Sequence, residues 1–227
     1  MAFTGVITCN HSYSWRLASV STFGYDTLMR RISNKPRTKL PRSAEPEPAP
    51  GEMSILQDFL NTKHLSSPRD VGNWLASHRL LPPGTELTEA DVKRLLVVQK
   101  GIRALVWVNS GGKLDEAAVD RLDQAAMGAF LQVRFSLDGS SRFESLSRTF
   151  EGALGYLLGI VMSTRIAGDW PRFKLCADGQ CRAAFYDFSK NGRGRWCKVR
   201  CGDRIRSKQY RRTDKYKSGR GSTYLPR

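Results

Sequence analysis

The sequence predicts a mainly α-helical protein with a β-hairpin, in which a helical N-terminal domain precedes a small four-cysteine zinc module that ends in a basic helix. Apolar residues recur at helical spacing through the middle of the chain. Four of the five cysteines lie close together near the C-terminus. The net charge of +16 is also segregated, because residues 171–227 carry seventeen Lys and Arg against four Asp and Glu.

These observations divide the 227 residues into four segments. We expect a disordered extension over residues 1–52, a helical domain over 53–169, the zinc module over 170–217 and a disordered tail over 218–227. Within the extension, the stretch 41–51 is rich in Pro and Glu, which favours a stiff linker. The acid-poor composition before it is also typical of organelle transit peptides. We favour disorder, or a true start at Met53, over targeting.

The helical domain is predicted from its periodicity and its capping residues. Residues 55–61 place their apolar side chains on one helical face. Ser67 is a suitable N-cap, with Pro68 at the first helical position. Thr88 and Asp91 have the spacing of a capping box, which predicts that the next helix starts at residue 89.

That long helix is predicted to span 89–109, and the pair Gly111–Gly112 ends it. A shorter helix over 115–126 follows. Over residues 129–146 the apolar residues no longer follow helical spacing, and the pair Asp138–Gly139 lies between two such runs. This pattern indicates a β-hairpin. Helical periodicity then returns over 142–165, and Trp170–Pro171 marks the boundary of the next module.

The cysteines Cys176, Cys181, Cys197 and Cys201 follow the pattern C-x4-C-x15-C-x3-C. Zinc prefers four tetrahedral ligands, and two close pairs of thiolates can supply them. Asp178 and Gly179 allow a tight turn inside the first pair. The spacing of the second pair suits the first turn of a helix that begins near Trp196, with a strand over 184–189 in between. A treble-clef or ribbon-like module with one structural zinc ion is therefore expected.

Two disulfides, or four unrelated thiols, are the alternative interpretations. Disulfides require an oxidising compartment, and the sequence has no clear secretory signal. A catalytic zinc keeps an open coordination position, whereas four thiolates close the shell. We expect no enzyme, because the sequence also has no nucleophile elbow, P-loop or zinc-protease motif.

The basic residues of the module predict a nucleic-acid partner, most simply duplex DNA. The helix after the second cysteine pair has too few apolar residues to bury a core face. The candidate contact residues are Arg193, Arg195, Arg204, Lys208, Arg211 and Arg212. Solvation alone remains the alternative for each single arginine.

RNA is the second candidate partner, because Phe185, Tyr186, Phe188 and Trp196 could stack on unpaired bases. The same aromatic residues could instead form a small core around the metal, which we favour. A protein-interaction module is the third alternative. A homodimer is compatible with two-fold operators, and no membrane contact is expected because no apolar run is long enough.

The stretch from Cys176 to Arg204 resembles the CGNR zinc finger, including Phe185-Tyr186-Asp187 and Arg195-Trp196-Cys197. Upstream, residues 57–62 (QDFLNT) resemble the start of the ABATE domain that precedes this finger. The resemblance implies a bacterial, stress-induced transcription regulator in the cytoplasm, associated with the nucleoid, whose finger binds DNA. It also implies a regulatory upstream domain.

One position departs from the family pattern. Asp203 stands where the family has Asn, so the side chain keeps an acceptor but loses an amide donor and gains negative charge. A helix-capping role would tolerate this change, whereas donation to a phosphate or a base would not. In the helical domain, the ligand-binding residues stay unknown. Asp58 and Asn61 could cap a helix or bind a ligand, and His64 is more typical of a surface loop.

Overall fold

The computed structural model describes residues 46–144 and 148–212, so most of the predicted extension and the whole C-terminal tail lie outside the described residues. Within these ranges the chain forms six α-helices and two antiparallel hairpins. The helices are α1 (Met53–Asn61), α2 (Pro68–Ser77), α3 (Glu89–Asn109), α4 (Glu116–Ala126), α5 (Phe150–Ile166) and α6 (Val199–Arg212). The strands are β1 (Gln132–Phe135), β2 (Ser141–Glu144), β3 (Phe173–Leu175) and β4 (Ala184–Tyr186).

The predicted helix caps are present. Ser67 accepts a hydrogen bond from the backbone N of Asp70, and Pro68 opens α2. Thr88 and Asp91 form a reciprocal capping box at the start of α3. Each cap satisfies backbone N–H groups that have no partner inside the helix.

Helix α3 is the centre of the helical domain. Its buried face packs on α4, α1 and α2. At Gly101 the approach of α4 is so close that a Cβ atom would lie 2.4 Å from the Cβ of Leu122. The fully buried side chains of the same core cluster include Leu56, Phe59, Val71, Leu75, Leu154 and Leu157.

The predicted hairpin forms with its turn at Asp138 and Gly139. Strands β1 and β2 pair from Gln132–Glu144 to Phe135–Ser141. Helix α5 starts at Phe150 rather than at residue 142, because residues 141–144 pair with β1 and Thr149 caps the helix. The expected helix over 142–165 was therefore wrong at its N-terminal end.

The first cysteine pair lies between the two strands of the second hairpin. Strand β3 pairs with β4 in the register Phe173–Tyr186 and Leu175–Ala184. The predicted strand over 184–189 thus ends at Tyr186, and its partner strand, which the sequence did not indicate, precedes Cys176. Phe173 and Leu175 are buried in the same core cluster as the helices. Packing therefore runs across the 169/170 boundary, and the four-segment division stays a prediction.

The last residues of the predicted linker form hydrogen bonds with α1. Ala49 is buried, and its backbone N donates to the side chain of Gln57 in α1. The same Gln57 amide donates to the carbonyl of Glu47. Across residues 46–144 and 148–212, no helix combines the length and apolar content that a membrane span requires.

Candidate metal centre and nucleic-acid interface

The four predicted cysteines converge on one point. Their Sγ atoms all lie within 4.8 Å of one another. The Sγ of Cys197 lies 3.5 Å from that of Cys181 and 3.8 Å from that of Cys201. A zinc ion with four Zn–S bonds of about 2.3 Å has sulfur atoms about 3.8 Å apart. The cluster therefore fits one tetrahedral zinc ion, and four thiolates leave no coordination position open.

The four sulfur atoms lie close enough to shift the pKa values of three of the thiols, and the shifts differ in direction. A hydrogen bond from Cys197 lowers the pKa of Cys176 to about 5, because it stabilises the thiolate. The pKa of Cys197 is raised, first because its thiol donates this bond. Burial and the neighbouring sulfur atoms raise the pKa of Cys201 to about 11. Four thiolates this close repel one another, and a divalent cation removes that repulsion while protons are released.

The first cysteine pair lies on a knuckle organised by Asp178. The Asp178 carbonyl accepts from the backbone N atoms of Cys181 and Arg182, and its carboxylate accepts from the backbone N of Gln180. Arg182, with φ of 49°, takes the left-handed conformation. The predicted turn is present, but Arg182 rather than Gly179 takes the left-handed backbone, which the sequence did not indicate.

The second pair lies at the start of α6. The helix begins at Val199, so Cys201 occupies its first turn. Cys197 precedes the helix by two residues, which differs from the expectation that both thiolates share one helical turn. Loop residues therefore orient Cys197: the Arg195 carbonyl accepts from the backbone N of Ala177 and ties this loop to the knuckle.

A small apolar cluster surrounds the sulfur atoms. Phe185 is buried with the cysteines, and Trp196 packs against them. Tyr186 contacts Phe188 edge-on and donates to Asp169. Phe188 is the most exposed of these four aromatic side chains, at 42%. Phe185, Tyr186 and Trp196 thus pack around the cysteine cluster and the hairpin of β3 and β4, which we call the ribbon.

A buried ion pair, which the sequence analysis missed, fixes the loop that follows β4. The Lys174 ammonium lies 2.8 Å from a carboxylate oxygen of Asp187, and both side chains are buried. Lys174 also donates to the carbonyl of Gly192, and Asp187 accepts from the backbone N of Gly194. The predicted contact residue Arg193 lies between these two glycines. In the sequence, the only sign of this loop is that Asp187 is followed by Asn191-Gly192 and Gly194.

Most of the basic side chains of helix α6 are exposed. Cys201 and Gly202 are its buried residues. The predicted contacts Lys208, Arg211 and Arg212 are exposed on its C-terminal half. Arg193 and Arg195 are exposed in the loop before Cys197.

Arg204 differs from the other predicted contacts. Its Nε lies 2.9 Å from the buried carboxylate of Asp178, and its guanidinium donates to Gln180 at 2.8 Å. A further nitrogen lies 3.9 Å from the Sγ of Cys201. Arg204 therefore holds α6 against the knuckle and supports the metal ligand.

The unusual Asp203 lies in the first half of α6 rather than at its cap. Its carboxylate accepts from the guanidinium of Arg206, one turn later, at 2.5 Å. The Arg206 guanidinium also lies over the ring of Trp196, 5.6 Å from its centre. Asp203 thus neutralises one cation of the helix, and no cap interaction is involved.

Two of the uncertain residues of α1 have structural partners. The Asn61 side chain exchanges two hydrogen bonds with the backbone of Ala184, at 2.7 and 3.0 Å, and so extends the β4 edge. Asp58 accepts from the indole of Trp74 at 2.8 Å. Neither caps a helix N-terminus. His64 is exposed after α1.

Other side chains join the finger to the end of α3. Asn109 donates to the carbonyls of Trp170 and Phe173, and Ser110 accepts from the backbone N of Leu175. Together with Asn61, these bonds fix the ribbon to the helical domain.

The fold and the site define a treble-clef-like structural zinc module docked on a helical domain. Residues 172–213 match the family model described as the CGNR zinc finger. Residues 54–161 match the ABATE model, described as "Putative stress-induced transcription regulator". The chain therefore contains a region that matches the ABATE domain, followed by a region that matches the CGNR zinc finger, in the predicted order. A comparison with curated proteins found no match.

The two matches also bear on the class of protein. One domain is of a regulatory type and the other is a zinc finger, and neither is an enzymatic family. Together with the four-cysteine cluster, they indicate a zinc-binding regulator.

Proposed function

We propose that this protein is a zinc-dependent, DNA-binding transcription regulator whose finger contacts duplex DNA. The observation that carries the proposal is helix α6, which projects basic side chains from a metal-fixed base. It buries only Cys201 and Gly202 among its residues. Its cationic residues are Arg200, Arg204, Arg206, Lys208, Arg211 and Arg212.

A helix of this composition gains little free energy from packing in a core, since it offers almost no apolar surface. A phosphate backbone gives its cations a partner, and binding releases condensed counterions. A single helix also fits the major groove, where Arg can donate to guanine. Exposed basic side chains on a rigid helix therefore suit duplex DNA better than solvent alone.

The loop before Cys197 would extend the same contact surface. The pair Lys174–Asp187 holds this loop in place. Arg193 and Arg195 are exposed there. We assign the phosphate and base contacts to these two arginines and to the exposed end of α6, whereas Arg204 positions the helix.

The helical domain would supply regulation by sensing a ligand or by dimerising. Its bonds to the ribbon, through Asn61 and Asn109, support this role because a change in α1 or α3 reaches the finger directly. Stress-dependent control in a bacterial cytoplasm, at the nucleoid, follows from the family resemblance.

Single-stranded RNA is the weaker alternative. Stacking on unpaired bases requires exposed aromatic faces. Phe185 is buried beside the cysteines and Trp196 packs on the same cluster, which leaves Phe188 as the exposed member of the four candidate aromatic residues. The charge on α6 therefore supports DNA more than these aromatic residues support RNA.

Selection of bound sequences from a random duplex pool, with the zinc-loaded full chain, tests the proposal. We expect enrichment of a defined site, and fluorescence anisotropy should then show that duplex DNA binds better than single-stranded RNA. Changing Lys208, Arg211 and Arg212 to Gln should weaken binding at least about tenfold, since several phosphate contacts are lost.

The matched control changes Lys93, Lys100 and Lys113 to Gln, which removes the same charge from exposed positions of the helical domain. This variant should bind DNA nearly as the wild type does. Equal effects of the two triple variants would mean that only net charge matters. Full binding after loss of the α6 cations would favour a protein-interaction module.

A further inference from the structure

A cleft separates the end of α1 from the zinc knuckle, and we propose that it binds a small polyanionic ligand that carries phosphate groups or clustered carboxylates. The cleft has a volume of about 1000 Å³. Its walls come from the last turn of α1, the middle of α3, the knuckle and the start of α6. This volume lies at the upper end of the range found for small-molecule sites.

The charge of the cleft is strongly positive. Five of its lining residues are cations: Lys63, Arg103, Arg182, Lys198 and Arg204. Asp58 is the acidic residue of the lining, and it already accepts from Trp74.

Four of these cations have no carboxylate partner among the described residues; Arg204, which pairs with Asp178, is the exception. Arg103 donates instead to the carbonyls of Leu60 and Arg182, at 2.7 and 2.6 Å. The guanidinium of Arg182 lies over the ring of Trp107, 4.1 Å from its centre. Neutral groups thus hold these charges in position without neutralising them.

The positive charge is costly where solvent is restricted. Burial, and then repulsion from Arg182, lower the pKa of Arg103. Two guanidinium groups placed together in this way create a favourable field for an anion, because the Coulomb energy grows as the effective dielectric constant falls. A bound phosphate or carboxylate would relieve the repulsion.

A small ligand fits the cleft better than the backbone of a duplex. Arg103 and Gln99 on α3 are half-buried and lie between α1 and the knuckle, where they fix the carbonyls at the end of α1. Duplex DNA contacts protruding elements such as α6, whereas these groups line a concavity. Polyanions with several charged groups could reach Lys63 on one side and Lys198 on the other.

Such a ligand would join the two domains. Lys63 follows α1, whereas Lys198 and Arg204 belong to the finger and flank Cys197 and Cys201. Binding energy shared between both walls can therefore couple the cleft to α6. This consequence for DNA rests on the proposed function, but anion binding itself does not.

The test is isothermal titration of the zinc-loaded full chain with inorganic pyrophosphate at constant ionic strength, with the zinc content checked before and after. We expect saturable binding of one pyrophosphate per chain. A double variant, Lys63→Gln with Lys198→Gln, should lose at least about tenfold in affinity. The control, Lys93→Gln with Lys100→Gln, should bind as the wild type does. Within the described residues, neither Lys63 nor Lys198 has a side-chain hydrogen bond or ion pair, so the double variant should keep its melting temperature.

Heat that rises without saturation, or an equal loss in both double variants, would overturn the proposal. So would strictly competitive displacement of pyrophosphate by duplex DNA, since the cleft would then belong to the DNA interface. Saturable pyrophosphate binding by a chain that binds no DNA would support the anion site and reject the proposed function alone.

Discussion

Asp187 is the residue on which the loop of Arg193 depends. Burial by itself would raise the pKa of this carboxyl, but hydrogen bonds from Lys174, Ser189 and Gly194 outweigh it, so the pKa lies below its ordinary value. The free energy that these bonds contribute is present above pH about 4. It is lost as the pH falls through the lowered pKa, when the carboxylate takes up a proton.

Asp187→Asn leaves the Lys174 ammonium buried without a counter-charge. We expect the free energy of unfolding, measured by denaturant titration at pH 7, to fall by about 3–5 kcal/mol. Adding Lys174→Met should recover part of this loss, because the uncompensated charge disappears. Additive losses in the double variant would contradict the ion-pair account.

Asp203 sets the charge of the first half of α6. Asp203→Asn removes the negative charge that Arg206 now neutralises, and it introduces the residue that the family has here. We expect DNA binding to tighten by about 0.5–1 kcal/mol, the upper range for an exposed pair. Asp123→Asn, which makes the same charge change on the exposed side of α4, is the control for the anisotropy titration. Unchanged or weaker binding by the Asp203→Asn variant would mean that the charge at position 203 does not act on the bound DNA.

At the scale of single residues, the features that have a local cause can be predicted from the sequence. The caps at Ser67 and Thr88 depend on residues three positions away, so their spacing is visible in the sequence. Asn61, by contrast, binds Ala184, which lies 123 positions further along the chain. No local pattern identifies that partner.

At the scale of elements, the helices were predictable and the ribbon was not. Helix α3 has a long apolar period and a capping box, which fixed both its type and its start. Strand β3 has only three residues, Phe173–Leu175, and its partner lies beyond the knuckle. Such a short strand forms because Phe173 and Leu175 enter the core of the helices, which is a tertiary effect.

The close approach of α3 and α4 gives a test at the same scale. Gly101→Ala would place a Cβ atom 2.4 Å from Leu122, so we expect a loss of about 1–3 kcal/mol in the free energy of unfolding. Gly72→Ala, in α2, meets its nearest atom at 3.7 Å and should raise it by about 0.5–1 kcal/mol, because Ala favours the helix. The same sign for both substitutions in thermal or chemical unfolding would contradict the packing described for α3.

At the scale of the whole molecule, we expect the zinc ion to stabilise the helical domain as well as the finger. The ribbon belongs at once to the metal site, through Cys176, and to the helical core, through Phe173 and Leu175. Removal of the metal should therefore lower the melting temperature of the helical domain as well, in one shifted calorimetric transition. Cys181→Ser should have the same effect, whereas Cys9→Ser should leave the zinc content at one ion per chain. An unchanged helical transition in the metal-free protein would mean that the two domains unfold independently.

The most direct test of the account is a salt series of anisotropy titrations, on the selected duplex, with the zinc-loaded and the metal-free chain. The two loop arginines and the three exposed cations at the end of α6 predict that the logarithm of the affinity falls with that of the salt concentration, with a slope of about −4.5 for the zinc form. Metal removal should abolish this binding, because α6 loses its fixed base. Absence of DNA binding at low salt, or binding of equal strength without zinc, would contradict the account.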